Sequence, residues 1–143
     1  MQYDCGWWIN FLSHRLKKKM NSTLADLGIT GVQSRILHYI LERYEEQPVF
    51  QKDVEEVFGL SRSTMTGILQ LLEKNGIIIR ESVDYDARLK SLVPTQKAVD
   101  IDTHVKEYIQ QMEANLCRDI SPGQLQVFLE VAEKMSKNLE KIS

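Results

Sequence analysis

Apolar residues recur every four positions through Trp8, Leu12, Leu16, Met20 and Leu24, with Ile9 and Phe11 widening the stripe. That spacing predicts a long amphipathic helix, stopped near Leu27-Gly28, where glycine suits the left-handed position that follows a helix. Thr30 and Gln33 form a T-x-x-Q capping box for a second helix, whose buried face is Ile36, Leu37, Ile40 and Leu41. That helix runs out in Glu45-Glu46-Gln47-Pro48. Val54, Val57 and Phe58, at i, i+3 and i+4, mark a short third helix from about Gln51 to Gly59. Ser61 is a natural N-cap for a fourth, which turns Met65, Ile68, Leu69 and Leu72 inward and closes at Asn75-Gly76.

The period then changes. IIIRESV (77–83) is rich in β-branched residues and reads as a strand, DYDARLK (84–90) as a polar turn, and SLV (91–93) as the returning strand. Thr95, after Pro94, is expected to cap a fifth helix along Ala98, Ile101, Val105, Tyr108, Met112 and Leu116. Ser121-Pro122-Gly123-Gln124 opens a sixth with a capping box and a proline at the first helical position. Its apolar face is Leu125, Phe128, Leu129, Ala132, Met135, Leu139 and Ile142. The chain is therefore read as a single domain over 1–143, mainly α, with six helices and two to three short strands. Its centre, about 30–95, has the order of a winged helix-turn-helix: two short helices, a tight glycine turn between them, and a hairpin. Long helices flank it at about 3–27 and 95–143.

VFGLSRSTMTGI (57–68) places Ser61, Ser63, Thr64 and Thr66 in the fourth helix, although short hydroxyl side chains favour caps and turns. In a helix-turn-helix the second helix enters the DNA major groove with its N-terminal residues toward the base edges. Short donors and acceptors let the backbone approach closely, and the first N–H groups face phosphate. With Met65, Ile68, Leu69 and Leu72 inside, the outward face is Arg62, Ser63, Thr66, Gly67 and Gln70. Arg62 and Gln70 suit paired hydrogen bonds to guanine and adenine. Gly67 has no side chain to collide with DNA. On the hairpin, Asp86 can orient the guanidinium of Arg88 toward a narrow minor groove.

Composition changes this picture little. Apolar residues at 43% and charged residues at 27% are ordinary for a globular chain, and the net charge is −2. Residues 61–97 hold six Lys/Arg against four Asp/Glu, and residues 98–143 five against eight. A mildly basic middle is compatible with one face meeting phosphate. No apolar run approaches the roughly 18 residues of a membrane span, and the N-terminus lacks the pattern of a secretory signal. Cys5 and Cys117 make neither a disulfide framework nor a zinc site, and together these features point to the cytoplasm. His38 and His104 stand alone, so no metal site is expected. No nucleophile–base pair or phosphate-cradling glycine loop appears; neither a catalytic role nor a cofactor is expected.

LGITGVQSRIL (27–37), QKDVEEVFGLSRSTMTGILQLLEKNGIIIR (51–80), DYDAR (84–88) and LVPTQKA (92–98), in that order, resemble the multiple-antibiotic-resistance regulator (MarR) family of bacterial transcription factors. The resemblance implies a homodimer in which the first, fifth and sixth helices intertwine, and each subunit offers one winged helix to a pseudo-palindromic operator in double-stranded DNA. It makes Ser61 to Gln70, Thr64 included, the recognition helix. Arg80 becomes a strand arginine near the DNA backbone, and Asp86 and Arg88 the wing pair, with Lys90 beside them. Phe50 departs from the pattern where a hydroxyl cap commonly opens the third helix. Gly67 replaces a larger polar or basic residue, Ala98 a common glycine, and Pro94 precedes the usual threonine. Apolar stripes on the first and last helices independently call for a partner, since large exposed apolar patches normally mean one.

The leading reading is a dimeric transcriptional regulator, a repressor relieved by a small-molecule effector. Trp7, Trp8 and Phe11 could line a pocket for an aromatic or amphipathic effector, though aromatics at helical spacing fit a core face as well. Relatives that sense hydroperoxides use a cysteine early in the first helix, where Cys5 lies, but no tyrosine follows it before Tyr39. Cys117 reads as a small core residue. The alternatives are a winged helix serving protein–protein contact and a redox-sensing regulator acting through Cys5.

Overall fold

The computed structural model describes residues 2–142. The elements follow in the order α1 (Cys5–Asp26), α2 (Gly31–Arg43), α3 (Gln51–Phe58), α4 (Arg62–Lys74), β1 (Ile78–Val83), β2 (Asp86–Pro94), α5 (Gln96–Leu116) and α6 (Pro122–Glu140). They gather into two compact units, residues 1–106 and 107–143.

The first unit is built around one apolar core. Ile36, Leu37 and Ile40 of α2, Val54 of α3, and Met65, Leu69 and Leu72 of α4 are buried with Ile77, Ile78, Leu92, Ala98 and Ile101. Each of these side chains except Ala98 contributes about 1.5–3 kcal/mol on leaving water. Leu24 near the end of α1 joins this core, whereas Trp8, Ile9 and Leu12 in its first half are exposed. The helix begins earlier than its stripe because the Asp4 carboxylate accepts from the Trp7 N–H at 2.8 Å and caps it. The Thr30–Gln33 capping box forms as expected, at 3.0 and 3.2 Å.

At α3 the capping position is Phe50, which has no acceptor. Asp53 compensates from inside the helix, its carboxylate accepting from the Phe50 N–H at 2.9 Å. Gly59 joins α3 to α4 with φ of 64°, a conformation that a Cβ disfavours by about 1–2 kcal/mol. The hairpin differs from the sequence expectation. The turn is only Asp84-Tyr85, Val83 faces Asp86, and β2 starts at Asp86 rather than near Ser91. A register shift between Ser82 and Val83 takes up the extra residues, which is why the polar run 86–90 is strand and not loop. The sheet has two strands; in place of a third, the Leu92 N–H donates to the Val49 carbonyl at 2.7 Å.

Thr95 stands ahead of α5 as expected, but its hydroxyl turns away from that helix and donates to the Gly76 and Ile77 carbonyls at 2.7 and 2.9 Å. Further along α5, buried Asp102 faces His38 of α2 at 3.2 Å and Lys106 at 3.1 Å. The second unit carries the end of α5 and all of α6. Ser121 and Gln124 form the expected capping box, yet α6 buries none of its residues, and Val127, Phe128, Leu129 and Leu139 are exposed. Cys117, expected in a core, is only half-buried. Among the described residues no helix is long and apolar enough to cross a membrane.

Candidate nucleic-acid interface

The start of α4 is organised by its own hydroxyls. Ser61 caps the helix, accepting from the Thr64 N–H at 3.2 Å, and its hydroxyl lies 3.0 Å from Thr64 Oγ1 and 3.3 Å from Ser63 Oγ. Ser61, Arg62, Ser63, Thr64, Gly67 and Gln70 are exposed, while Met65 and Leu69 are fully buried, so the predicted outward row is outward. Thr66 is the exception. It is half-buried, and its hydroxyl accepts from the Gln51 side-chain amide of α3 at 2.8 Å.

The wing contributes cations. Asp86 Oδ1 accepts from the Arg88 backbone N–H at 2.9 Å and from its Nε at 3.3 Å, which fixes the arginine while leaving its side chain 91% exposed. Arg88 stands on β2, beyond the turn and not at its tip; the tip is held by Tyr85, which is 71% exposed. Lys90 donates to Ser82 Oγ across the hairpin. Arg80 is steadied by Glu73, 3.7 Å away.

Together these residues enclose a groove of about 450 Å³ between the start of α4 and the wing. Its lining holds five cations, Lys52, Arg62, Arg80, Arg88 and Lys90, and no carboxylate. Gln51, Lys52 and Tyr85 were not foreseen here. A lysine on a short helix reads as solvated surface until the wing is folded beside it. With the pairing of Glu73 to Arg80 and Asp86 to Arg88 at its edges, the groove is electropositive and open, suited to an anionic backbone.

Trp7 and Phe11 belong elsewhere. Tyr3, Trp7 and Phe11 stack along α1 with centroids 3.8 and 4.7 Å apart, and the Arg15 guanidinium covers Phe11 at 4.3 Å. Trp8 meets Trp7 edge-on at 5.0 Å. These aromatics line neither the cationic groove nor the neighbouring one bounded by Tyr39, Arg43, Val49 and Asp53. Cys5, at the first position of the same helix, is exposed. Among the described residues no group of three His, Cys, Asp or Glu side chains could hold a metal ion.

A helix–turn–helix whose second helix exposes a polar row beside a two-stranded wing defines a winged helix-turn-helix protein. A model of the MarR family matches residues 27–89. Solved structures share the fold. MepR, a transcription regulator of the Staphylococcus aureus multidrug efflux pump MepA, is 20% identical with a TM-score of 0.85, covering 96% of this chain and 99% of its own. MepR in complex with DNA gives 22% identity and 0.80, over 94% and 98%. The transcription regulator MarR from Oenococcus oeni gives 23% and 0.62, over 94% and 99%.

Proposed function

We propose that the protein is a dimeric, sequence-specific DNA-binding transcriptional regulator, a cytoplasmic repressor released by a small-molecule effector. The observation that carries this is the groove lined by five cations between the recognition helix and the wing. Arg62, Ser63, Thr66, Gly67 and Gln70 meet base edges in the major groove. Arg88, oriented by Asp86, enters the minor groove, and Lys52, Arg80 and Lys90 take phosphates. The MepR–DNA complex supports the reading.

Dimerisation supplies the second half-site. The exposed apolar residues Trp8, Ile9 and Leu12 of α1 and Phe128, Leu129 and Leu139 of α6 take their cover from a second copy, and two recognition helices then reach half-sites about one DNA turn apart. An aromatic or amphipathic effector at Trp7, Trp8 and Phe11 lowers affinity by favouring a different spacing of those helices, to the extent that it binds that state better. The test is a fluorescence-anisotropy titration of a duplex selected from random DNA, repeated at several salt concentrations. Affinity is expected to fall steeply, with a slope of about −0.9 per phosphate neutralised. A flat salt dependence sinks the proposal.

A further inference from the structure

Gln51 touches the recognition helix twice from a different element. Its side-chain Nε2 donates to Thr66 Oγ1 at 2.8 Å and lies 3.4 Å from the Arg62 carbonyl. Arg62 is the residue four before Thr66, and its carbonyl is the one to which a helical threonine hydroxyl ordinarily bonds back. One amide group thus occupies an acceptor site of the Thr66 hydroxyl and covers the carbonyl that would draw its proton inward. The Thr66 hydroxyl, already accepting from Gln51, keeps its own O–H to donate elsewhere. Gln51 is itself held: Asp53 fixes the start of α3 through the Phe50 N–H, and Leu92 of the wing fixes Val49 at 2.7 Å.

Resting on the DNA-binding reading above, we infer that Gln51 is a positioning residue that sets the hydrogen-bond polarity of Thr66, presenting it to the operator as a donor. Thr66 then favours a base edge with an acceptor there, guanine N7 or O6, adenine N7 or thymine O4. The chemistry can be inverted by one atom. In Gln51→Glu the carboxylate only accepts, so Thr66 donates inward to it and shows a lone pair outward, which suits the amino groups of adenine or cytosine.

The experiment selects bound duplexes from a random-sequence pool with the full-length wild type, Gln51→Glu, Gln51→Leu, Thr66→Val and Gln51→Glu/Thr66→Val, with circular-dichroism melts confirming folding. One position per half-site is expected to change its preferred base in Gln51→Glu by about fivefold, the worth of one net hydrogen bond. That change should vanish in the Thr66→Val background. Gln51→Leu, which removes the donor without adding charge, should flatten the preference at that same position and carries the test if the glutamate variant does not fold. Uniform weakening on all sequences, or a redistribution that persists without the Thr66 hydroxyl, overturns the inference while leaving DNA binding intact. If the wild type enriches no sequence, the DNA-binding reading itself falls and this inference with it.

Discussion

The hydroxyl of Thr95 lies 2.7 Å from the carbonyl oxygen of Gly76, so the start of α5 is fastened to the turn that closes α4. Lys97 adds a second tie, its ammonium donating to the Asn75 carbonyl at 2.8 Å. The last carbonyls of α4 are met locally, Leu71, Leu72 and Glu73 accepting from the N–H groups of Asn75, Ile77 and Gly76. Thr95 and Lys97 bind the next two carbonyls, Gly76 and Asn75, and so tie the start of α5 to the turn that closes α4.

Replacing Thr95 with valine keeps the shape and removes the donor. The Ile77 carbonyl keeps its bond to the Thr95 N–H, so the loss falls chiefly on Gly76. Stability should drop by about 1 kcal/mol in urea unfolding, with the slope of the transition unchanged.

Gly67 gives a prediction with opposite signs in two assays. A Cβ there would meet nothing within 4 Å, and the residue sits inside a helix, so Gly67→Ala should raise stability by about 0.5–1 kcal/mol. If this face lies against the floor of the major groove, the same methyl weakens operator binding by about tenfold, equivalent to about 1.4 kcal/mol. A variant that is both more stable and equally tight would place the helix elsewhere.

Phe128, 60% exposed on a helix with no buried residue, tests the dimer. Light scattering on the wild type should return twice the 16.6 kDa of the chain. Phe128→Glu should shift it toward 16.6 kDa at micromolar concentration, with operator affinity falling in step.

Cys117 should be a slow nucleophile. Burial, then the Glu113 charge, then a hydrogen bond to that carboxylate raise its thiol above the ordinary range. A raised pKa means less thiolate at any given pH, so iodoacetamide at pH 8 should modify it more slowly than free cysteine. In a Cys5→Ser background, Glu113→Gln removes the neighbouring charge and should speed the reaction.

Most of the helical plan was legible because the helices carry apolar stripes and three of them also carry a start signal. Thr30, Ser61 and Ser121 cap where their type and spacing say they should. The wing was less legible. Residues 86–90 become strand through backbone pairing across a bulge, which leaves no alternation of apolar and polar side chains to read. Phe50 hid the start of α3, since its cap works in reverse from Asp53. The Gln51–Thr66 bond spans fifteen residues and has no period at all. Lys52 joins Arg88 in one groove only because the turn at Gly59 and the hairpin fold toward each other. Periodicity likewise marked α6 as apolar on one side without saying what would cover that side.

The stack on α1 gives the molecule an optical property. Both indoles of the chain are neighbours, Trp7 pressed between Tyr3 and Phe11 and Trp8 set edge-on beside it, far in sequence from Ser61 and Arg88. Emission excited at the red edge of the absorption band therefore reports a single neighbourhood, the opening turns of one helix. A quench or blue shift on adding a compound or raising the concentration would speak for that spot alone, and duplex binding that leaves the spectrum untouched would mean the reading head engages without disturbing it.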